Sequence, residues 1–322
     1  MADCGNSASA EVQAYNQVCK LAVANLDRRA FDERRHGYME LFKAFPLARQ
    51  LDIQMTDTDV TCGDRLIPLR IFKRKGEYQK EACLIYAHGG GFVSGNIDIC
   101  NSLATEIAND VGMTVVTFHY CLSPENPFPA PLEDCCAVVE AVSRRAGEFG
   151  IDRTRILFGG ESCGSNFAAA VPLLLLDRNG HRLHGQVAIN PVFDVHRWAD
   201  RTADEGSEEF RDEMHYFTSN YLGLNRDLQR HYASPLLAPD LSGLPPAFIW
   251  AAGLDPLHRE ALAFASRLRE AGVAASVRVK PGVVHGCIRA RHYYQFASEV
   301  YSEVVEGIRW LINDRGASAA RG

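Results

Sequence analysis

The 322-residue chain has no surplus of basic residues: 34 Lys and Arg stand against 40 Asp and Glu, a net charge of −6. A nucleic-acid binder needs a cationic face that displaces counterions, so that class is excluded. Long apolar runs are missing too. The longest, Phe167 to Leu176, is interrupted by Pro172 and is about half of the ~20 residues needed to cross a bilayer, so no membrane partner is expected. The opening MADCGNSASAEVQ has neither a basic start nor an apolar run and does not read as a signal peptide. The ten cysteines form no C-x-x-C pair, which argues against zinc and thioredoxin chemistry. They read as reduced thiols of a cytoplasmic protein, and adjacent Cys135 and Cys136 as two small apolar residues on a helix. Repeats and low-complexity tracts are also lacking.

What is present is an ordinary globular composition, 47% hydrophobic and 23% charged. A chain of this length buries enough surface to hold a core without disulfides or metals. Tyr38, Leu41, Phe42 and Phe45 recur at helical spacing, and Pro46 ends that segment. Strands are expected around Ile53 to Val60 and Ile67 to Phe72. From residue 82 short apolar runs alternate with helical patterns. The runs are Cys83–Ala87, Met113–Phe118, Arg155–Phe158, Gln186–Ile189, Ala247–Ala251 and Ala275–Val279. They do not alternate polar with apolar, as expected for parallel strands buried on both faces. Helical stripes start at Pro131 and Leu257, and a last one runs from Phe296 to Leu311. The fold class expected is α/β, a mostly parallel doubly wound sheet. Residues 194–243 contain no strand-like run and are too many for a plain connection, so they read as a helical insertion above the strand ends. Its acidic residues, Asp204 to Glu213, read as a solvated face.

Gly160-Glu161-Ser162-Cys163-Gly164 has the form G-x-S-x-G. It follows one strand and precedes the small-residue helix Ser165–Val171, although Pro172 inside that helix should cost ~3 kcal/mol or kink it. A serine on such a strand-to-helix turn is lifted clear of the sheet, and the glycines are needed because side chains would clash. A hydroxyl nucleophile needs a base, which a carboxylate orients, in the chain order Ser, acid, His. His285 follows the last strand in a loop, where open sheets place their sites. His258 and His292 fall on helical stripes and read as surface residues. Asp255 follows the strand before, and its alternative reading is a helix N-cap.

His88-Gly89-Gly90-Gly91-Phe92 follows the strand Cys83–Ala87. The dinucleotide fingerprint fails at Ser94, and the P-loop fails at Asn96. An oxyanion hole is the better reading, with N–H groups of Gly90, Gly91 and Cys163 as donors and His88 as a structural hydrogen-bonder.

These motifs, with Tyr120-Cys121-Leu122-Ser123-Pro124-Glu125, Pro127-Phe128-Pro129-Ala130, Asp255-Pro256-Leu257 and His285-Gly286, resemble the hormone-sensitive-lipase family of α/β-hydrolases over about residues 50–312. The resemblance implies a serine carboxylesterase with the triad Ser162, Asp255 and His285. It calls for no metal and no organic cofactor, and its partner is a small-molecule ester. A homodimer through the last strand and helix is compatible with it. It implies a cap made from N-terminal helices in 1–46 and the insertion 194–243, over a catalytic domain of 47–193 and 244–322. A short- to medium-chain acyl preference is expected, with Phe31, Tyr38, Phe42, Phe45, Tyr216, Phe217 and Tyr221 as candidates to narrow the pocket. An amidase, lactonase or deacetylase would use the same apparatus. A non-catalytic receptor of the gibberellin-receptor kind would lack the histidine that stands here at 285. Glu161, Cys163, His119 and Cys121 depart from the family pattern. The Cys163 thiol is expected to make the enzyme sensitive to alkylation, and the changes at 119 and 121 remove a charge pair.

Overall fold

The computed structural model describes residues 8–24, 31–76, 80–224 and 229–313. Eight strands form one sheet: β1 (Ile53–Cys62), β2 (Arg65–Arg74), β3 (Glu81–Ala87), β4 (Thr114–Phe118), β5 (Ile151–Glu161), β6 (Gly185–Ile189), β7 (Ala247–Ala252) and β8 (Ala275–Lys280). Their order is β1-β2-β4-β3-β5-β6-β7-β8. The pairs β1–β2 and β2–β4 are antiparallel, and the rest are parallel. Each run expected from the sequence lies in one of these strands, except that Met113 stands one residue ahead of β4. β8 departs from burial on both faces: all six of its residues are half-buried, because it closes the sheet edge.

The helices are α1 (Ala10–Ala22), α2 (Phe31–Lys43), α3 (Asn101–Ile107), α4 (Ala130–Arg144), α5 (Ala146–Phe149), α6 (Cys163–Asp177), α7 (Val195–Ala199), α8 (Glu208–Leu222), α9 (Arg230–Ala233), α10 (His258–Glu270) and α11 (Gln295–Ile312). Successive strand residues feed opposite faces of the sheet. Ile85, Val116, Phe158 and Ile249 pack with α4, α6 and α10, while Leu84, Val115, Leu157 and Phe248 pack with α1, α3 and α11.

Pro172 does not break α6, which runs unbroken from residue 163 to 177. Residues 163–175 of it are all buried, so packing on both sides outweighs the lost backbone hydrogen bond. In the insertion, the described residues form α7, α8, α9 and a 3₁₀ turn, with no strand. Its acidic run is only partly a solvated face. Glu205 is half-buried against Arg197 (2.5 Å) and Arg259 (3.6 Å), and Glu213 pairs with Arg34 of α2 (3.4 Å). Nine described cysteines are free thiols, while Cys4 lies outside the described residues. Residues 1–7, 25–30, 77–79, 225–228 and 314–322 also lie outside them.

Sheet order decides where a site can form. From β3 the chain moves to β4 on one side, then crosses to β5 on the other. The loops after β3 and β5 therefore part company, leaving a crevice at the carboxyl ends of these strands.

Candidate active site

Two loops meet in that crevice. β5 ends at Glu161, and Ser162 takes φ 57°, ψ −120° before α6 begins. A non-glycine residue at positive φ is strained, and the surroundings hold it there. The Ser162 N–H donates to Ile189 O (2.8 Å), and the Ser165 hydroxyl donates to Gly160 O (2.6 Å) while accepting from Ile189 N–H (2.8 Å). A Cβ on Gly164 would run into the Ala87 carbonyl, and one on Gly160 would meet it too. Only glycine lets β3 and the turn approach this closely.

The loop after β3 is equally constrained. Gly90 and Gly91 have φ 121° and 63°. A Cβ on Gly90 would strike Ser94 O, and one on Gly91 would strike the Phe217 ring of α8. Gly89 has the Tyr38 hydroxyl of α2 against it. His88 is buried and stacks on Tyr120 (4.2 Å, 17°), whose hydroxyl donates to His88 O (2.8 Å). Burial, above all, holds its imidazole down at about 3, so it stays neutral as part of the loop.

Asp255 follows β7 and is buried. One oxygen accepts from Leu257 N–H (3.0 Å), and the other meets His285 Nδ1 at 2.5 Å. Helix α10 is capped at Leu257 rather than at Asp255, so Asp255 serves the turn ahead of the helix and the histidine together. The His285 ring is one-third exposed and lines a cavity of about 430 Å³ together with Ser162, Cys163, Gly90 and Gly91. Burial pulls the His285 imidazole down, but the Asp255 charge and hydrogen bond outweigh it and raise the group above its ordinary value. Glu161 adds to the rise and Arg289 opposes it.

Two expectations need revision. Cys163 is buried, and burial pushes its thiol up to about 11 against the pull of the Tyr120 hydroxyl and nearby backbone N–H groups. A thiol so held has little thiolate, which weighs against the expected sensitivity to alkylation. His292 is not a surface helix residue: it lies in a turn before α11, 2.8 Å from buried Glu106. Beside Cys121, Arg65 of β2 pairs with buried Asp134, whose other oxygen accepts from Cys121 N–H (2.9 Å).

Of the pocket-narrowing candidates, Tyr38 and Phe217 line the serine cavity. Phe42 and Phe45 line a second cavity of about 320 Å³ behind Gly89. Tyr221 is core, stacked on Phe92 (3.8 Å). Phe31 packs on Tyr216 (5.9 Å). Sequence reasoning missed Tyr15, whose hydroxyl donates to Gly286 O (3.1 Å), and Arg289, whose only signal is its place four residues after His285. Among the described residues no group of three or more His, Cys, Asp or Glu is placed to hold a metal, and no helix is long and apolar enough to cross a membrane.

A family model described by the α/β-hydrolase fold matches residues 84–289. This chain belongs to the α/β-hydrolase family. Within it, this hydrolase falls in the hormone-sensitive-lipase-like group. It is 31% identical over 281 residues to an arylesterase of Saccharolobus solfataricus, covering 85% of this chain and 90% of that one. It is 34% identical over 233 residues to the carboxylesterase NlhH of Mycobacterium tuberculosis, covering 69% and 71%. Among solved structures, the hyperthermophilic esterase from the archaeon Pyrobaculum calidifontis superposes on this α/β-hydrolase with a TM-score of 0.81 at 26% identity, covering 94% and 98%.

Proposed function

We propose that this α/β-hydrolase is a serine carboxylesterase acting on short- to medium-chain acyl esters. The observation that carries the reading is one cavity that holds Ser162 on its strained turn and His285 bound to buried Asp255. His285 takes the Ser162 proton as the hydroxyl oxygen attacks the ester carbonyl. The resulting oxyanion is held by N–H groups of Gly90, Gly91 and Cys163, aided by the N-terminus of α6. The carbon–oxygen bond to the alcohol breaks, His285 returns the proton to the leaving alcohol, and an acyl-serine remains. Water, deprotonated by His285, then attacks that acyl-serine, and the acid departs as Ser162 regains its proton. Asp255 fixes the tautomer of His285 and stabilises the imidazolium that forms. The names of the relatives support the same reaction class, and a cavity of about 430 Å³ supports small esters. The cap reading rests on α2 and α8, whose Tyr38 and Phe217 close over the glycine loop.

Ser162→Ala is expected to abolish p-nitrophenyl butyrate hydrolysis while circular dichroism and melting temperature stay close to those of the wild type. A variant with near-wild-type turnover refutes the assignment.

A further inference from the structure

We propose that Arg289 is a specificity-determining residue that receives a carboxylate carried by the ester substrate, an inference that rests on the esterase reading above. Its side chain is only 9% exposed and lines the cavity of Ser162 and His285. Its Nε donates to Gly286 O at 2.8 Å, and the guanidinium folds back over Gly286 so tightly that a Cβ there would run into it. One face looks onto Phe42 (4.7 Å) and Tyr38 (6.0 Å). The nearest carboxylate oxygen is Glu161 Oε1, at 3.9 Å. That is an ion-pair distance but too long for a hydrogen bond. Among the described residues neither Nη nitrogen has a hydrogen-bond partner.

Other arginines of this chain are treated differently. Arg35 grips Glu125 with both Nη nitrogens (2.9 and 2.7 Å), Arg70 grips Asp57 (2.7 and 2.9 Å), and Arg178 grips Glu133 (2.7 and 2.6 Å). All three carboxylates lie at the surface or partly exposed, where such pairing matters least to stability. Arg289 is the more deeply buried cation and holds its fork open. A buried guanidinium without bidentate partners is costly, and its planar donor edge matches a carboxylate. Glu161 balances its charge from 3.9 Å and leaves the Nη donors for an incoming group. The other charged side chains on the cavity wall do not supply that group: Glu213 pairs with Arg34 at 3.4 Å, and Glu33 and Lys20 stand exposed. Arg289 is tied to Gly286 O, the residue after His285, and so stands beside the base. The carboxylate it holds belongs to the same small molecule as the ester, as in a half-ester of a dicarboxylic acid.

The test compares monoethyl esters of succinic, glutaric and adipic acid with neutral ethyl esters of matching length, followed in a pH-stat. For the best chain length, the wild type is expected to show a kcat/KM ratio, charged over neutral, above three. Arg289→Gln should lower that ratio by more than threefold, and Arg289→Lys should restore part of it. A wild type that cleaves the neutral ester with a ratio of three or less overturns this inference and leaves the esterase reading standing. A ratio that stays within threefold in Arg289→Gln, with both esters slowed alike, also overturns it, because the arginine then only braces the histidine loop. A wild type that cleaves neither ester overturns both readings. Should Arg289→Gln fail to fold, the wild-type ratio decides.

Discussion

Asp255 divides its two oxygens between Leu257 N–H and His285 Nδ1, so replacing it disturbs both the turn and the base. Asp255→Asn keeps the shape and removes the charge. Its kcat for p-nitrophenyl butyrate is expected to fall by roughly 10⁴-fold, with little change in KM. The pH profile carries a second readout. Asp255 holds the His285 imidazolium above its ordinary range, so the acid limb of kcat/KM should lie above the ~6.5 of a free imidazole and move down in Asp255→Asn. A limb that stays in place would remove His285 from the role of base. The stability linked to this group has the opposite sign: it is full below the ordinary histidine value and is lost as pH rises through the raised one. Ser162 was legible because its glycines stand at fixed spacing. Arg289 and Arg65 were not, because each acts on a residue remote in the chain, Glu161 and Asp134.

Among the elements, α10 joins the acid to the insertion. Its buried Glu260 accepts from Phe193 N–H (2.5 Å), Asp194 N–H (2.9 Å) and Trp198 Nε1–H (2.6 Å), which fastens the start of the insertion and α7 to the helix that follows Asp255. Burial pushes the Glu260 carboxyl up to about 7, against those three donors. Glu260→Ala strands all three N–H groups, each buried donor costing about 1–3 kcal/mol. A loss of about 3 kcal/mol or more is expected in urea unfolding, and a loss under 1 kcal/mol would show that water satisfies the donors. The strands were legible as apolar runs, and α6 was legible despite Pro172. The half-burial of β8 was not, since edge position depends on strand order and leaves no mark in its own residues.

On the scale of the whole molecule, α1, α2 and α8 each contribute side chains to the cavity wall. Val12, Tyr15 and Phe45 are buried, Arg35 donates to Val93 O (2.7 Å), and Arg34 lies over the Tyr216 ring (4.1 Å). Such a bounded cavity sets an upper size for the acyl chain. Hydrolysis of p-nitrophenyl esters is expected to peak at C8 or below in the full chain. Removing residues 1–46 should raise KM for the butyrate at least tenfold and lower the melting temperature. Rates that climb through C12 and C16 in the full chain, or a truncated chain with unchanged KM, would count against the cap reading. At the sheet edge, β8 is tied to α11 by ion pairs from Arg278 to Glu306 (2.8 Å) and from Lys280 to Glu303 (2.9 Å).

By itself the sequence determined the eight strands, the serine turn, the glycine loop and the order of serine, acid and histidine. Those features are written in local patterns: apolar runs, glycines where a Cβ would clash, and motifs of a few adjacent residues. Only the tertiary structure decided which elements line the cavity, that Cys163 is buried, and that Arg289 stands in that cavity beside the His285 loop. Burial and long-range pairing set those properties, and neither belongs to any one stretch of chain.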